Sequence, residues 1–172
     1  MCPVRGHCLS LFLFRIFYND VMGGIPDNLE NNELLKLSFD EDDRTSYGSM
    51  RILVRNPELY RGSVYDDKNY LIDRVLAESH KGKCRLLLTM LLRHGLEESE
   101  LRTDFLNYYM DGIVNGAYPC SVRVLCIKLA CGQCRFYPEL TEELKSVLHL
   151  LDIGNVSPGL AAARRNVLKK IE

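Results

Sequence analysis

The strongest constraint on this chain is a helical spacing of apolar residues that continues from about residue 27 to residue 172. Apolar side chains recur every three or four residues, the spacing that puts them on one face of an α-helix. No stretch shows the alternation of apolar and polar residues that a half-buried strand requires. With 172 residues, the chain is long enough to bury a substantial core. The pattern therefore predicts an all-α fold.

Capping and turn signals divide this pattern into eight helices. Asp27, either Asp66 or Asp67, and Ser157 precede apolar stretches, and side chains of these types cap helix N-termini. Gly95 follows the fourth stretch, where glycine allows the backbone conformation that ends a helix. The predicted helices span about 27–37, 47–56, 67–76, 84–94, 99–115, 119–136, 140–151 and 157–172.

An arginine recurs in the second helix of each predicted helix pair. Each one follows a small or apolar residue, and the intervals between them are 34, 38 and 41 residues. A period near 40 residues is typical of helix pairs that stack into a solenoid. The sequence therefore predicts a short solenoid of about four helix pairs. The four arginines are Arg51, Arg85, Arg123 and Arg164.

In these features the chain resembles small bacterial HEAT-like, or armadillo-type, helical repeat proteins. The similarity runs from about residue 28 to residue 172, and the best unit is Phe105–Phe136, with Pro119 at its turn. The resemblance implies an α-α superhelix whose second helices form a surface for binding other proteins. The aspartate that precedes the second helix in this family is present in the first unit alone, as Asp42 or Asp43.

The first residues of the chain lack these helix signals. An apolar run begins at Cys8, but Arg15 interrupts it and no cleavage site follows. The run is also too short to span a bilayer. We expect residues 1–24 to be an N-terminal extension, either poorly ordered or upstream of a natural start at Met22. We expect residues 25–172 to form a single helical-repeat domain.

The repeated arginines have a structural explanation. On a helical wheel, Arg123 falls on the same arc as Val122, Cys126 and Ala130, which is the apolar side of the helix. An unpaired charge at such a position is very costly. We therefore expect these arginines to link repeats through carbonyls or carboxylates of an adjoining repeat, rather than to contact a ligand.

The cysteines do not predict a metal or redox site. Cys120 and Cys131 are eleven residues apart on one predicted helix, or about 16 Å, which is too far for them to share an ion. Cys131 and Cys134 have C-x-x-C spacing, but no strand precedes them as in a thioredoxin-like motif. Cys126 is expected to face the core. We predict no metal, no cofactor and no catalytic site. The seven cysteines do not follow a secreted scaffold, so we expect a cytoplasmic protein.

The overall charge is nearly balanced, with 22 Lys and Arg against 23 Asp and Glu. Balanced charge argues against strong attraction to nucleic acid or to an anionic membrane. The residues that we expect to point outward from the second helices are nevertheless basic, which favours an acidic peptide or protein as partner. These candidate contact residues are Arg55, Arg93, Lys128 and Arg135.

The leading functional hypothesis is a non-catalytic protein-interaction or scaffold module. One alternative is a DNA-binding enzyme resembling HEAT-like alkylpurine DNA glycosylases, for which Tyr108, Tyr109 and Asp111 are the nearest aromatic and acidic cluster. The absence of tryptophan and the net charge of -1 weaken that resemblance. The other alternative is a structural subunit of a larger assembly, which would expose a large apolar patch.

Overall fold

The computed structural model describes residues 31–151 and 156–171. Across these ranges the chain forms eight α-helices and no strand, which confirms the predicted all-α class. Asp27 and the predicted extension 1–24 lie outside the described residues. The helices are α1 (Asn31–Leu37), α2 (Asp43–Arg55), α3 (Lys68–Ala77), α4 (Lys81–His94), α5 (Thr103–Val114), α6 (Cys120–Gln133), α7 (Pro138–His149) and α8 (Pro158–Ile171).

Polar side chains start α3 and α8 as the sequence predicts. The Asp67 carboxylate accepts hydrogen bonds from the backbone N–H groups of Asn69, at 2.9 Å, and Tyr70, at 3.3 Å. The Ser157 hydroxyl accepts one from the Leu160 N–H at 3.3 Å. These bonds satisfy N–H groups that have no partner within the helix. The predicted cap Ser157 is therefore confirmed, and Asp67 is the one of the two candidate aspartates that caps α3.

The start of the fifth helix differs from the prediction. Residues Glu98–Glu100 form a separate 3₁₀ turn, and α5 begins at Thr103 rather than near residue 99. The Glu100 carboxylate accepts the Glu97 backbone N–H at 2.7 Å and pairs with Lys68 at 2.8 Å. The turn is thus stabilised partly by a residue that lies 32 positions earlier in the chain.

The chain divides into two compact units, residues 1–63 and residues 64–172. In the described part of the first unit, α1 packs against α2. Leu34 of α1 and Met50 and Leu53 of α2 are fully buried there. This helix pair therefore has an apolar core of its own.

The second unit contains three helix pairs arranged in two layers. The second helices α4, α6 and α8 pack against one another in sequence, and the first helix α5 packs against α3 and α7. Leu87, Tyr109, Ile127 and Leu144 are fully buried between these helices. Within this unit the helix pairs stack as predicted.

Gly112 allows α5 and α6 to approach each other closely. A Cβ atom at this position would lie 3.0 Å from the Cys126 sulfur. Glycine is therefore the residue that lets these two backbones pack together without displacing the thiol. No helix of the described residues is long and apolar enough to cross a bilayer.

Candidate functional site

Two of the repeated arginines bind the end of the preceding helix. Arg123 Nε donates to the Ile113 carbonyl at 2.9 Å, and Arg164 Nε donates to the Leu148 carbonyl at 2.7 Å. Ile113 and Leu148 are the penultimate residues of α5 and α7. We expected acceptors in an adjoining repeat, but both acceptors lie in the first helix of the same pair. The short connection within each pair places the end of the first helix beside the second.

The other two repeated arginines are placed differently. The Arg85 guanidinium forms no hydrogen bond or ion pair within the described ranges. The Arg51 guanidinium lies over the ring of Tyr47, 5.9 Å from its centroid. The four arginines recur at similar intervals in the sequence but do not make equivalent contacts in the structure.

The predicted contact residues do not form one surface on a single unit. Arg55 is the last residue of α2, in the first unit, and it is exposed. Arg93 and Lys128 are exposed on α4 and α6, which are neighbouring second helices of the second unit. The structure thus brings Arg93 and Lys128 onto the same helix layer.

The fourth predicted contact residue, Arg135, is held by the protein itself. Helix α6 ends at Gln133, so Arg135 lies in the following turn and not on the helix. Its Nη2 donates to the Leu96 carbonyl at 3.0 Å, and its guanidinium lies 4.3 Å from the centre of the Phe136 ring. Arg135 is exposed, but it lies in the turn after α6 and not on the second helix as predicted.

The side of α6 that carries Lys128, which we call its open side, faces away from the first-helix layer. Cys126 of α6 lies against Gly112 of α5. Lys128 is two residues further on, so its side chain leaves α6 on roughly the opposite side. It is exposed, and no carboxylate of the described part of the chain pairs with it. Lys128 is therefore available to a partner.

Two further lysines, Lys169 and Lys170, are exposed near the end of α8. In the sequence, the basic end of this helix is explained by complementing the helix dipole and is also compatible with contact to phosphate. The structure adds that α8 packs beside α6, so both lysines lie in the same helix layer as Lys128.

The aromatic and acidic cluster does not form a site. Tyr109 is fully buried in the core, whereas Asp111, on the same helix, is exposed. The Tyr108 hydroxyl lies 2.9 Å from the Cys84 sulfur, and its ring is 6.0 Å from that of Tyr118. These side chains point in different directions and do not surround a common cavity.

The cysteines of the second unit are unpaired thiols. Cys84 and Cys126 are buried, and burial raises the pKa of both, that of Cys126 to about 12. A thiol with a raised pKa stays protonated and is a poor nucleophile near neutral pH. Within the described ranges, no three His, Cys, Asp or Glu side chains are grouped so that they could hold a metal ion.

A profile of the HEAT repeat domain family matches residues 18–171. No curated protein and no solved structure shows significant similarity to the chain. The family match confirms the HEAT-like resemblance and, with the helices described above, the predicted fold class, the α-α superhelix.

Proposed function

Because this chain belongs to the HEAT repeat domain family, we propose that it is a non-catalytic interaction or scaffold module that binds an acidic protein or peptide. Solenoids of helix pairs use one helix layer as their binding surface. The observation that carries the proposal is the continuous layer of α4, α6 and α8, with Lys128 exposed on its open side. Arg93 is exposed on the same layer and adds to its positive charge.

We also propose that the protein acts in the cytoplasm. Five cysteines of the second unit are free, and three of them are buried in its core. Reduced thiols persist in a reducing compartment, whereas secreted domains of this size commonly pair theirs. The core of the second unit therefore packs without a disulfide among these five cysteines.

The proposal is tested by identifying a partner and then rebuilding the complex from purified components. The tagged chain is expressed at its native level in cells, its partners are crosslinked to it, and the proteins that co-purify are identified. The partner found in this way is then produced and purified separately. We expect the two purified proteins to form a complex on size exclusion chromatography. We also expect Lys128→Glu to weaken its affinity by about tenfold, since the substitution places a negative charge against an acidic partner.

Lys145→Glu is the matched control. This lysine lies on α7, in the first-helix layer, and pairs there with the exposed Glu142 at 2.8 Å. Its reversal changes the net charge by the same amount as Lys128→Glu and replaces a surface ion pair by two like charges, a change that costs little stability. A complex that Lys145→Glu weakens and Lys128→Glu leaves intact would contradict the proposed face. Failure to find any complex would contradict the interaction role itself.

A further inference from the structure

The charges of the second unit are segregated between its two helix layers. Helices α4, α6 and α8 carry ten Lys and Arg residues and no Asp or Glu. In the other layer, α5 and α7 carry five Asp and Glu residues and one lysine, and α3 carries Lys68, Arg74 and Asp73. The second-helix layer of this unit is therefore strongly cationic, a feature that the net charge of -1 for the whole chain does not reveal.

Four of the ten cations form what we call the basic face of the second-helix layer. Lys128, Lys169 and Lys170 are exposed, and Arg85 is partly exposed. None pairs with a carboxylate of the described residues. By contrast, Arg123 and Arg164 are bound to helix-end carbonyls. The basic face consists of Arg85 on α4, Lys128 on α6, and Lys169 and Lys170 on α8.

Small and aliphatic side chains lie between these cations. Leu92 of α4, Val124 and Leu125 of α6 and Ala162 of α8 are all partly exposed. The three helices contain no Phe, Tyr or Trp. The face therefore combines positive charge with apolar patches but offers no aromatic ring to a ligand.

We propose that the basic face binds a short acidic polypeptide segment that also carries aliphatic side chains. Carboxylates of the segment pair with Arg85, Lys128, Lys169 and Lys170, while its aliphatic residues cover Leu92, Val124 and Leu125. This inference rests on the proposed interaction role and specifies the chemistry of the partner. Nucleic acid is the less favoured polyanion, because single strands are held by stacking on aromatic side chains that these helices lack.

The dimensions of the face set the length of the segment. Neighbouring packed helices are about 8–10 Å apart, so a path across α4, α6 and α8 covers roughly 20 Å. An extended chain advances about 3.3 Å per residue, so about six residues cross the layer. A segment of this length reaches the cations of all three helices.

The binding test uses defined probes and the full chain. The first probe is a fluorescent peptide of about ten residues that alternates Glu and Leu, and the second is a peptide of the same length that contains Glu alone. Short single-stranded and double-stranded DNAs are the remaining probes. We expect fluorescence anisotropy to show that the Glu–Leu peptide binds at least tenfold more tightly than the Glu peptide. We expect its affinity to fall with added salt, because charge pairs at an exposed face are screened.

Substitutions on the basic face identify the site. Lys128→Glu should weaken peptide binding by about tenfold, the double change Arg85→Glu with Lys128→Glu should weaken it further, and Lys145→Glu should leave it unchanged. Lys128→Gln is a milder variant that keeps the helix intact and should give an intermediate loss. Circular dichroism and thermal melting establish that each variant is folded.

The outcomes separate this inference from the proposed function. Tighter binding of DNA than of the Glu–Leu peptide, or equal binding by the Lys128→Glu variant, would overturn the inference. A natural protein partner whose affinity is insensitive to Lys128→Glu would also overturn it, while the interaction role would stand. If neither a natural partner nor the peptide binds, both proposals are wrong.

Discussion

At the residue scale, a half-buried arginine in the second helix of a pair can bind a carbonyl at the end of the first helix and so hold the two helices together. The last carbonyls of an α-helix have no partner within the helix. Arg123 and Arg164 each donate to a carbonyl in the last turn of the preceding helix, those of Ile113 and Leu148. Positive charge at a helix C-terminus is also favoured by the helix dipole. The contact therefore links the two helices of a pair.

Replacing Arg123 with alanine should reduce the free energy of unfolding by about 1–2 kcal/mol, because the Ile113 carbonyl loses a charged hydrogen-bond donor. Urea denaturation followed by circular dichroism measures the change. Arg85→Ala is the matched control, since its guanidinium makes no such bond within the described ranges, and it should cost less than about 0.5 kcal/mol. Equal losses from the two substitutions would show that the carbonyl contact does not stabilise the pair.

The buried thiol of Cys126 should make stability fall at alkaline pH. Burial, with a smaller contribution from Cys84, raises its pKa from 9.0 to about 12 in the folded protein. Between these values the unfolded chain releases a proton that the folded protein retains, so unfolding is favoured as pH rises. Stability due to the neutral thiol is thus complete below pH 9 and is lost as the pH approaches 12.

The measurement is urea denaturation at pH 8 and pH 10 for the unsubstituted protein and for Cys126→Ala. The substitution opens a small cavity, whose cost is the same at both pH values. We expect the unsubstituted protein to lose about 1 kcal/mol more than the variant over this interval. Parallel losses in the two proteins would mean that the Cys126 thiol does not contribute to the pH dependence.

At the scale of single helices, the end of α4 depends on one backbone conformation. Gly95 has φ 69° and ψ 149°, and its N–H donates to the Leu91 carbonyl at 3.0 Å. This region of backbone angles is essentially restricted to glycine. Gly95→Ala should therefore reduce the melting temperature, at a cost of about 1–3 kcal/mol.

Gly116→Ala provides the comparison for this prediction. Gly116 lies in the connection between α5 and α6, it does not have a positive φ, and an added Cβ would have open space around it. The melting temperature of Gly116→Ala should stay within a few degrees of the unsubstituted protein. If Gly95→Ala melts at the same temperature as Gly116→Ala, the helix end does not require glycine.

The helices could be predicted from sequence where their signals are local. The Asp67 cap, the Ser157 cap and the Gly95 terminus each depend on residues within four positions along the chain. The start of α5 could not be predicted in this way. The turn before it is stabilised by the pair between Glu100 and Lys68 of α3, and such a contact is created by the fold.

The candidate site was less predictable, because it depends on side-chain direction. Arg85 and Arg123 look equivalent as members of a repeat, yet Arg123 donates to the Ile113 carbonyl, whereas the Arg85 guanidinium makes no such bond within the described ranges. Arg135 looked like a helix residue, but α6 ends two residues before it. Errors of about three residues in a helix boundary leave an all-α prediction unchanged and are large enough to change a predicted surface.

At the scale of the whole molecule, net charge conceals the most useful functional feature. A net charge of -1 for the whole chain predicts little attraction to polyanions. Once the helices are assigned to layers, all the acidic residues of α4–α8 fall on the first helices α5 and α7 and none on the second helices α4, α6 and α8. The binding properties of a layered fold therefore depend on the charge of each layer.

The central claim is that the second-helix layer is the binding face, and methyl NMR during titration with the Glu–Leu peptide tests it most directly. Leu92 and Leu125 lie on the partly exposed side of that layer, whereas Val114 and Leu150, which are 43% and 76% exposed, lie at the ends of α5 and α7 in the other layer. We predict that the methyl signals of Leu92 and Leu125 shift on binding, while those of Val114 and Leu150 do not. Shifts at Val114 and Leu150 without shifts at Leu92 and Leu125 would contradict the account.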